Sequence, residues 1–175
     1  FRDEDLRADR QPEFTQIDIE MSFVDEEDIF TYMEDLTRHI FHVVSQISLP
    51  NQFPRLTYKD AMDIYGSDKP DLRYELRLID VKQFTDTSDF NAFGSAEIVK
   101  GIILNKGAKY SRKTIDELTE FVKKYKAKGL AWIKLKGSVF EGGISKFFSK
   151  DLQKKMKKEL KMVDDDILFM IGDKT

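Results

Sequence analysis

Apolar and polar residues alternate over a short stretch near the start of the chain, "FTQIDIEM" at residues 14–21. Successive side chains of an extended chain point to opposite faces, so this alternation predicts a β-strand. One face would be mainly apolar and pack in a core; it carries Thr15, Ile17, Ile19 and Met21. The other would be mainly polar and available to line a site; it carries Phe14, Gln16, Asp18 and Glu20.

The residues before this strand are rich in charge and show no helical period. Phe1 and Arg2 can end a partner strand, and residues 3–13 then form a long charged hairpin loop. Pro12 lies in that loop and cannot donate a backbone hydrogen bond, which stops further strand pairing there. The pattern therefore predicts a charged hairpin at the start of the chain.

A helical period follows the hairpin. Asp25 is placed to cap a helix whose first turn is acidic, which suits the helix dipole. Apolar residues then recur every three or four positions and predict one buried stripe: Ile29, Met33, Leu36, Ile40, Val43 and Ile47. A second, short helix is expected between a cap at Thr57 and a closing Gly66.

The pattern changes again near residues 74–80. Strands are predicted at "FNAF", "VKGIILN", "LAWIKLKG" and "DDILFMIGD", and helices at "SRKTIDELTEFVKKYKA" and "DLQKKMKKELK"; "SKFFSK" is ambiguous. Strands and helices in this order favour an α+β fold with two layers. We therefore expect two domains, residues 1–77 and residues 78–175.

The composition of the chain excludes several kinds of site and argues against a membrane protein. The 175 residues contain no cysteine, which excludes disulfides, thiolate metal sites and cysteine nucleophiles, and the net charge is only −3. No apolar run reaches the roughly 18 residues that span a membrane, so a cytoplasmic protein with no membrane contact is expected. The chain starts with Phe in mid-pattern, which suggests a piece of a longer protein.

The chemistry of the opening hairpin has two interpretations. Guanidinium groups bind phosphate in a bidentate manner and keep their charge, so arginines beside carboxylates suit an anionic ligand with a polar head. The alternative is a solvated loop with surface ion pairs, which is the commoner role of a charged hairpin. Composition alone favours this alternative.

The order of the residues changes that balance. "FRDEDLRADRQPEFTQID" resembles motif 2 of the class II aminoacyl-tRNA synthetases, in the version seen in bacterial-type aspartyl enzymes. "FPRLTYKDAMDIYGSDKPDLR" also resembles this family. "YSRKTIDELTEFVKKYKAKGLAWIKL" resembles the GAD domain that bacterial aspartyl enzymes carry as an insertion between motifs 2 and 3. The resemblance implies a partial class II catalytic domain, with its hairpin and helices, followed by a GAD-type insertion domain.

The resemblance also implies roles for single residues. Arg2 would be catalytic and bind the α-phosphate of ATP, and Glu4 would meet the adenine of ATP or the acceptor end of tRNA. Gln16 and Asp18 would bind aspartate, with Asp18 accepting from its ammonium group. The remaining residues belong to the loop that would approach the tRNA acceptor stem: Arg7, Asp9, Arg10 and Gln11. ATP and Mg²⁺ are the implied cofactors, with no metal ligand assigned in this chain and most expected outside it.

By the same resemblance, the longer protein would join aspartate to tRNA and work as a homodimer. Its tRNA would be that for aspartate, with asparagine tRNA as a further candidate. Motif 1, motif 3 and an anticodon-binding barrel are not found, so the isolated chain is expected to be inactive. The rival interpretation is a non-catalytic GAD-type module that docks RNA or protein; a lysine or asparagine enzyme is a weaker rival.

Three other features have an ordinary and a functional interpretation. The lysine-rich helix, with Lys154, Lys155, Lys157 and Lys158, is more often a solvated face than an RNA-binding one. Trp132 and the pair Phe147–Phe148 could stack on nucleic-acid bases, but aromatic residues of this kind are more often packed in a core. His39 and His42 are expected to be ordinary residues of the long helix.

Overall fold

The computed structural model describes residues 1–3, 5, 7–8 and 10–174. By packing, the chain divides into two compact units, Phe1–Arg55 and Leu56–Thr175. The boundary predicted between residues 77 and 78 comes from the change of sequence pattern and the resemblance to an inserted domain, not from packing, and it stays a prediction.

The first unit contains one long helix, α1 (Glu26–Ser45), where the sequence predicts it. The Asp25 side chain accepts hydrogen bonds from the backbone N–H groups of Glu27 (3.0 Å) and Asp28 (3.1 Å). The Asp28 carboxylate in turn accepts from the Asp25 N–H at 3.2 Å, which completes a capping box. Gln46 ends the helix in the left-handed conformation.

The predicted burial of the α1 stripe is wrong, since α1 has no buried residue. Ile29, Met33 and Ile40 are each about 40% exposed. The cap and the helix-forming composition fix α1 locally, whereas burial of the stripe needs a second surface that the unit's described residues do not supply.

The strand predicted at residues 14–21 is also wrong for this structure, because those residues belong to no strand and their side chains are exposed. A strand is stabilised by ladder hydrogen bonds to a neighbour and is marginal when only one hairpin is available. The predicted hairpin is present in a reduced form. The Arg2 N–H donates to the Pro12 carbonyl at 3.0 Å, and Arg7 and Arg10 form an isolated antiparallel bridge.

Among the described residues, the second unit is built on a five-stranded antiparallel sheet. Its spatial order is β1-β2-β5-β3-β4. The strands are β1 (Ile79–Asp80), β2 (Ile98–Leu104), β3 (Ala131–Lys136), β4 (Val139–Glu141) and β5 (Ile167–Asp173). The helices are α2 (Tyr58–Tyr65), α3 (Lys82–Thr85), α4 (Arg112–Lys123) and α5 (Lys150–Glu159).

Most of the predicted elements of this unit are confirmed, namely α2 with its Thr57 and Gly66 caps, and β2, α4, β3, α5 and β5. The strand predicted at "FNAF" is wrong, since Asn91–Phe93 is a 3₁₀ turn. Phe90 and Phe93 are three residues apart, so a 3₁₀ turn places them on one side. Their rings meet edge to face at 5.0 Å. The ambiguous "SKFFSK" contains a second 3₁₀ turn, Ser145–Phe147.

The expected two-layer arrangement needs a correction, because helices lie on both faces of the sheet. Leu168 and Met170 of β5 pack on one face in a core that includes Met156 of α5. Phe169 and Ile171 point to the other face, where they line an apolar groove with side chains of α4, among them Leu118. Both faces of β5 are apolar, so each face requires a covering helix.

A buried carboxylate fixes the entry to β5. Asp166 is 1% exposed, and its carboxylate accepts from the backbone N–H groups of Val163 (2.8 Å) and Lys106 (3.3 Å). Leu135 and Asp166 are joined through the backbone at 2.9 Å. These bonds connect the ends of β2, β3 and β5, and they satisfy a charge whose burial would otherwise be costly.

The core of the second unit can be tested with two substitutions in α5. Met156 is fully buried and Lys158 is exposed, and alanine suits a helix at either position. Met156→Ala should lower the free energy of unfolding by about 2–5 kcal/mol, while Lys158→Ala should change it by less than about 0.5 kcal/mol. Urea unfolding followed by the fluorescence of Trp132, the single tryptophan, measures both. Equal midpoints for the two variants would contradict the packing described here.

Candidate functional site

Arg2 lies at the start of the opening hairpin and is exposed. Its backbone is tied to Pro12, and its guanidinium carbon lies 5.6 Å from the centroid of the Phe14 ring. A cation over an aromatic face is attracted by the ring quadrupole, which favours one position of a long side chain. The hairpin therefore presents a positioned, solvent-accessible guanidinium.

The tip of the hairpin carries two further arginines. The Arg10 N–H donates to the Arg7 carbonyl at 3.1 Å, which closes a tight turn. Arg7, Arg10 and Gln11 are all exposed. Arg7 and Arg10 are three positions apart on an exposed turn, and two such cations suit a polyanion better than a small buried ligand.

The other predicted site residues are less well defined by the structure. Glu4 and Asp9 lie outside the described residues. Gln16 and Asp18 are described and exposed, but the segment that carries them is not part of a sheet. The shared polar face predicted for them therefore lacks the strand geometry that would fix it, and their role stays a prediction.

Sequence reasoning missed an arginine that anchors the end of the first unit to α1. The Arg55 guanidinium lies 2.9 Å from the Glu34 carboxylate and 3.7 Å from that of Glu27, and its carbon lies 4.0 Å from the centroid of the Phe30 ring. Arg38 approaches the same Glu34 at 3.8 Å. Arg55 lies in the quoted segment "FPRL", but no period or spacing marks it.

Trp132 is held by packing in the second unit. The backbone of Gly143 passes so close that a Cβ there would lie 1.8 Å from the Trp132 carbonyl oxygen. Arg112 and Lys134 lie 5.7 and 5.5 Å from the indole centroid. Lys134 donates to the Tyr110 carbonyl at 2.6 Å, and burial lowers the pKa of its ammonium group. A structural role accounts for these contacts.

The remaining aromatic and histidine candidates are ordinary. Phe148 is buried in the core and Phe147 packs against it, which confirms the core interpretation. His39 and His42 lie on α1 and are exposed. Among the described residues, no group of three or more acidic, histidine or cysteine side chains is placed to hold a metal ion. The described helices include none that is long and apolar enough to cross a bilayer.

Comparison with known proteins defines the class. The profile of the family described as "tRNA synthetases class II (D, K and N)" matches residues 1–169. The match covers both the opening hairpin and almost all of the sheet unit. The chain therefore belongs to the class II tRNA synthetases of this group.

The curated relatives are more particular. The chain is 50% identical over 179 residues to an aspartate–tRNA ligase of Halalkalibacterium halodurans, and 49% identical over 174 residues to one of Lactococcus lactis subsp. cremoris. It is 50% identical over 179 residues to an aspartate–tRNA(Asp/Asn) ligase of Desulfatibacillum aliphaticivorans. Each match covers 99% of this chain but only 29–30% of the relative. The chain thus spans about a third of the length of these relatives.

The anchoring role of Arg55 can be tested by hydrogen exchange. Arg55→Ala removes a cation–π contact with Phe30 and the 2.9 Å ion pair with Glu34, each worth about 0.5–1 kcal/mol. The 3.7 Å pair with the more exposed Glu27 adds little. Amides in the first half of α1 should therefore exchange about 5- to 30-fold faster, and those of β2 and β5 should not change. Lys59→Ala, which removes an exposed ion pair with Asp63 in α2, is the control. Unchanged protection of α1 in the Arg55 variant would show that the contact does not stabilise this helix.

Proposed function

We propose that the longer protein containing this chain is an aspartate–tRNA ligase. It would activate aspartate with ATP to aspartyl-adenylate and then transfer the aspartyl group to tRNA. The observation that carries the proposal is the roughly 50% identity, over 99% of the chain, to relatives that bear this name. The family match from residue 1 adds that the opening hairpin belongs to the matched region.

The hairpin supplies the chemistry of the first step in this proposal. Adenylate formation depends on positioning and on neutralising charge that develops on the α-phosphate, so a fixed guanidinium is the main requirement. Arg2 is accessible and placed by Pro12 and Phe14, which supports this role. Glu4 would contact adenine or the tRNA end, while Gln16 and Asp18 would hold aspartate, with Asp18 accepting from its ammonium group.

The tip of the hairpin supplies contacts for the second step. Arg7, Arg10 and Gln11, together with Asp9, would meet the acceptor stem of tRNA. Exposure of the two arginines and the tight turn that joins them support this assignment. Arginines on such a turn contact phosphate groups and orient a nucleic acid without defining its sequence.

Other parts of the proposed protein lie beyond this chain. ATP would be bound with Mg²⁺, and the described residues offer a cation for phosphate but no group of metal ligands. Because motifs 1 and 3 are not found in its sequence, the chain by itself should not form adenylate. A homodimer acting in the cytoplasm, with residues 78–175 as a GAD-type insertion domain, completes the proposal.

Two alternatives differ from the proposal in partner or activity. A non-catalytic GAD-type docking module would not need the opening hairpin, and the family match that includes the hairpin favours the enzyme. The tRNA specificity is open, because a relative named aspartate–tRNA ligase and one named aspartate–tRNA(Asp/Asn) ligase are equally similar to this chain.

Amino-acid-dependent pyrophosphate exchange by the longer protein tests the proposed activity. Exchange should depend on aspartate and not on lysine or asparagine. Arg2→Ala should lower it by about 10²- to 10³-fold, as loss of one charge-stabilising donor does elsewhere. Lys155→Ala, a change in an exposed helix residue, is the control and should leave exchange unaltered. Exchange driven by lysine or asparagine, or normal exchange in the Arg2 variant, would refute the assignment.

The two steps can be separated at the tip of the hairpin. Arg7→Ala and Arg10→Ala in the longer protein should leave pyrophosphate exchange intact, because neither residue is proposed to touch the adenylate. Both should slow single-turnover transfer from preformed adenylate to tRNA, since each removes a phosphate contact. If transfer rates match the wild type, the arginines only stabilise the turn and take no part in handling tRNA.

A further inference from the structure

The outward face of α5 is a stripe of lysines, which we call the lysine stripe: Lys150, Lys154, Lys157 and Lys158. At 3.6 residues per turn these four positions fall within an arc of about 100°. Leu152, Met156 and Leu160 lie on the opposite side and pack in the core or against it. The packing of α5 therefore turns the stripe away from the core: Lys150, Lys154 and Lys158 are exposed, and Lys157 is half-buried.

Acidic residues of α5 neutralise little of this stripe. Asp151 is at its edge, 3.6 Å from the Lys154 ammonium group and itself highly exposed. Glu159 is on another side of the helix, where it meets Gln83 at 3.4 Å and Lys155 at 4.0 Å. Within α5, four stripe cations beside one rim carboxylate give a local excess of positive charge, although the chain as a whole carries −3. Outside α5, the Asp164 carboxylate accepts from the Gly137 N–H at 2.5 Å, next to the Ser138 that Lys157 contacts. The charge is separated in space, as expected for a surface that meets a polyanion.

The chemistry of the stripe favours a phosphate backbone over a membrane or a protein. It contains no apolar or aromatic side chain, so it has nothing to insert among lipid acyl chains. Lysine is depleted in protein interfaces, whose centres are dry and apolar. The stripe is about 12 Å long, at 1.5 Å per residue. That length covers three to four phosphates on one strand of a duplex, at roughly 3.4 Å per step.

We propose that the lysine stripe docks the phosphate backbone of double-helical RNA without reading its sequence. The inference rests on the proposed function in one respect, because tRNA is the RNA that the longer protein would handle. Lysines spaced along a helix follow a backbone as point charges, and they release counterions on binding. The stripe lies in the sheet unit and is separate in sequence from the hairpin assigned to catalysis.

The experiment measures binding of this chain to a tRNA transcript and to an unrelated 20-base-pair RNA duplex. Fluorescence anisotropy at 25–200 mM KCl gives the affinity and its dependence on salt. The stripe variant carries Lys150→Gln, Lys154→Gln, Lys157→Gln and Lys158→Gln. A matched control makes the same charge change elsewhere in the unit, at Lys113, Lys123, Lys124 and Lys126, all of which are exposed. Trp132 fluorescence in urea compares the folding of the variants.

The stripe variant should bind both RNAs at least tenfold more weakly at 50 mM salt. The slope of log affinity against log salt should become shallower by about 2–4, since each lost phosphate contact removes about one counterion. The control should change the slope by less than about 1. Lys157 also contacts Ser138 at 2.9 Å, so its substitution can disturb folding. A triple variant that keeps Lys157 is therefore measured as well. It should show the same effect at about three quarters of its size.

The same variants are also tested for binding to anionic phosphatidylserine vesicles and to polyglutamate. Three results would overturn the inference: unchanged RNA binding by the stripe variant, an equal loss of RNA binding in the control, or a loss of binding only to the vesicles or to polyglutamate. The proposed function has a separate readout. Aspartate-dependent pyrophosphate exchange by the longer protein should survive the stripe substitutions. Absence of exchange in the wild type would refute the ligase, whereas intact exchange with unaltered RNA binding would refute the stripe alone.

Discussion

The sheet unit depends on β5 being paired along both edges. Ile167–Asp173 forms an antiparallel ladder with β2 on one side and with β3 on the other, although it follows both of them in the chain. Its alternating side chains fill both layers of packing, with Leu168 and Met170 toward α5, and Phe169 and Ile171 toward α4. The buried Asp166 ties the turn before β5 to β2 through Lys106, and its backbone pairs with Leu135 of β3. This strand therefore joins the two halves of the sheet.

The first unit shows what happens to a similar pattern without such partners. Residues 14–21 alternate as clearly as β3 does, yet only β3 forms a strand, because β4 and β5 supply its ladder hydrogen bonds. Likewise α1 has a correct cap and a strong apolar stripe, but no residue of it is buried. Local signals determine where α1 begins and ends, while burial depends on surfaces beyond the unit. The curated relatives are about three times longer than this chain, which is consistent with such surfaces lying in the parts of those proteins outside the match.

These contrasts explain how much of the structure the sequence could predict. Helices with side-chain caps, such as α2 between Thr57 and Gly66, follow from local chemistry and were predicted with their ends. The short β1 and β4 were missed because two or three residues give no period. "FNAF" is predicted as a strand, whereas the edge-to-face contact of Phe90 with Phe93 favours a 3₁₀ turn. For the candidate site, the order of residues around Arg2 made the prediction possible. The contacts of Arg55 with Glu34 and Phe30 could not be predicted, because they depend on tertiary structure alone.

The hairpin and the sheet unit carry different exposed cationic groups, arginines on the hairpin and lysines on α5. In the proposed function, the Arg2 guanidinium would meet the charge developing on one phosphate, and Arg7 and Arg10 would meet the acceptor stem. The lysine stripe of α5 would meet a phosphate backbone. We propose above that the longer protein attaches aspartate to tRNA. The most direct measurement is the attachment of isotope-labelled aspartate to a tRNA transcript in the presence of ATP. Labelled aspartate should appear in an alkali-labile ester at the 3′ end of the tRNA. A tRNA that acquires no aspartate, or acquires lysine instead, would refute the proposed activity.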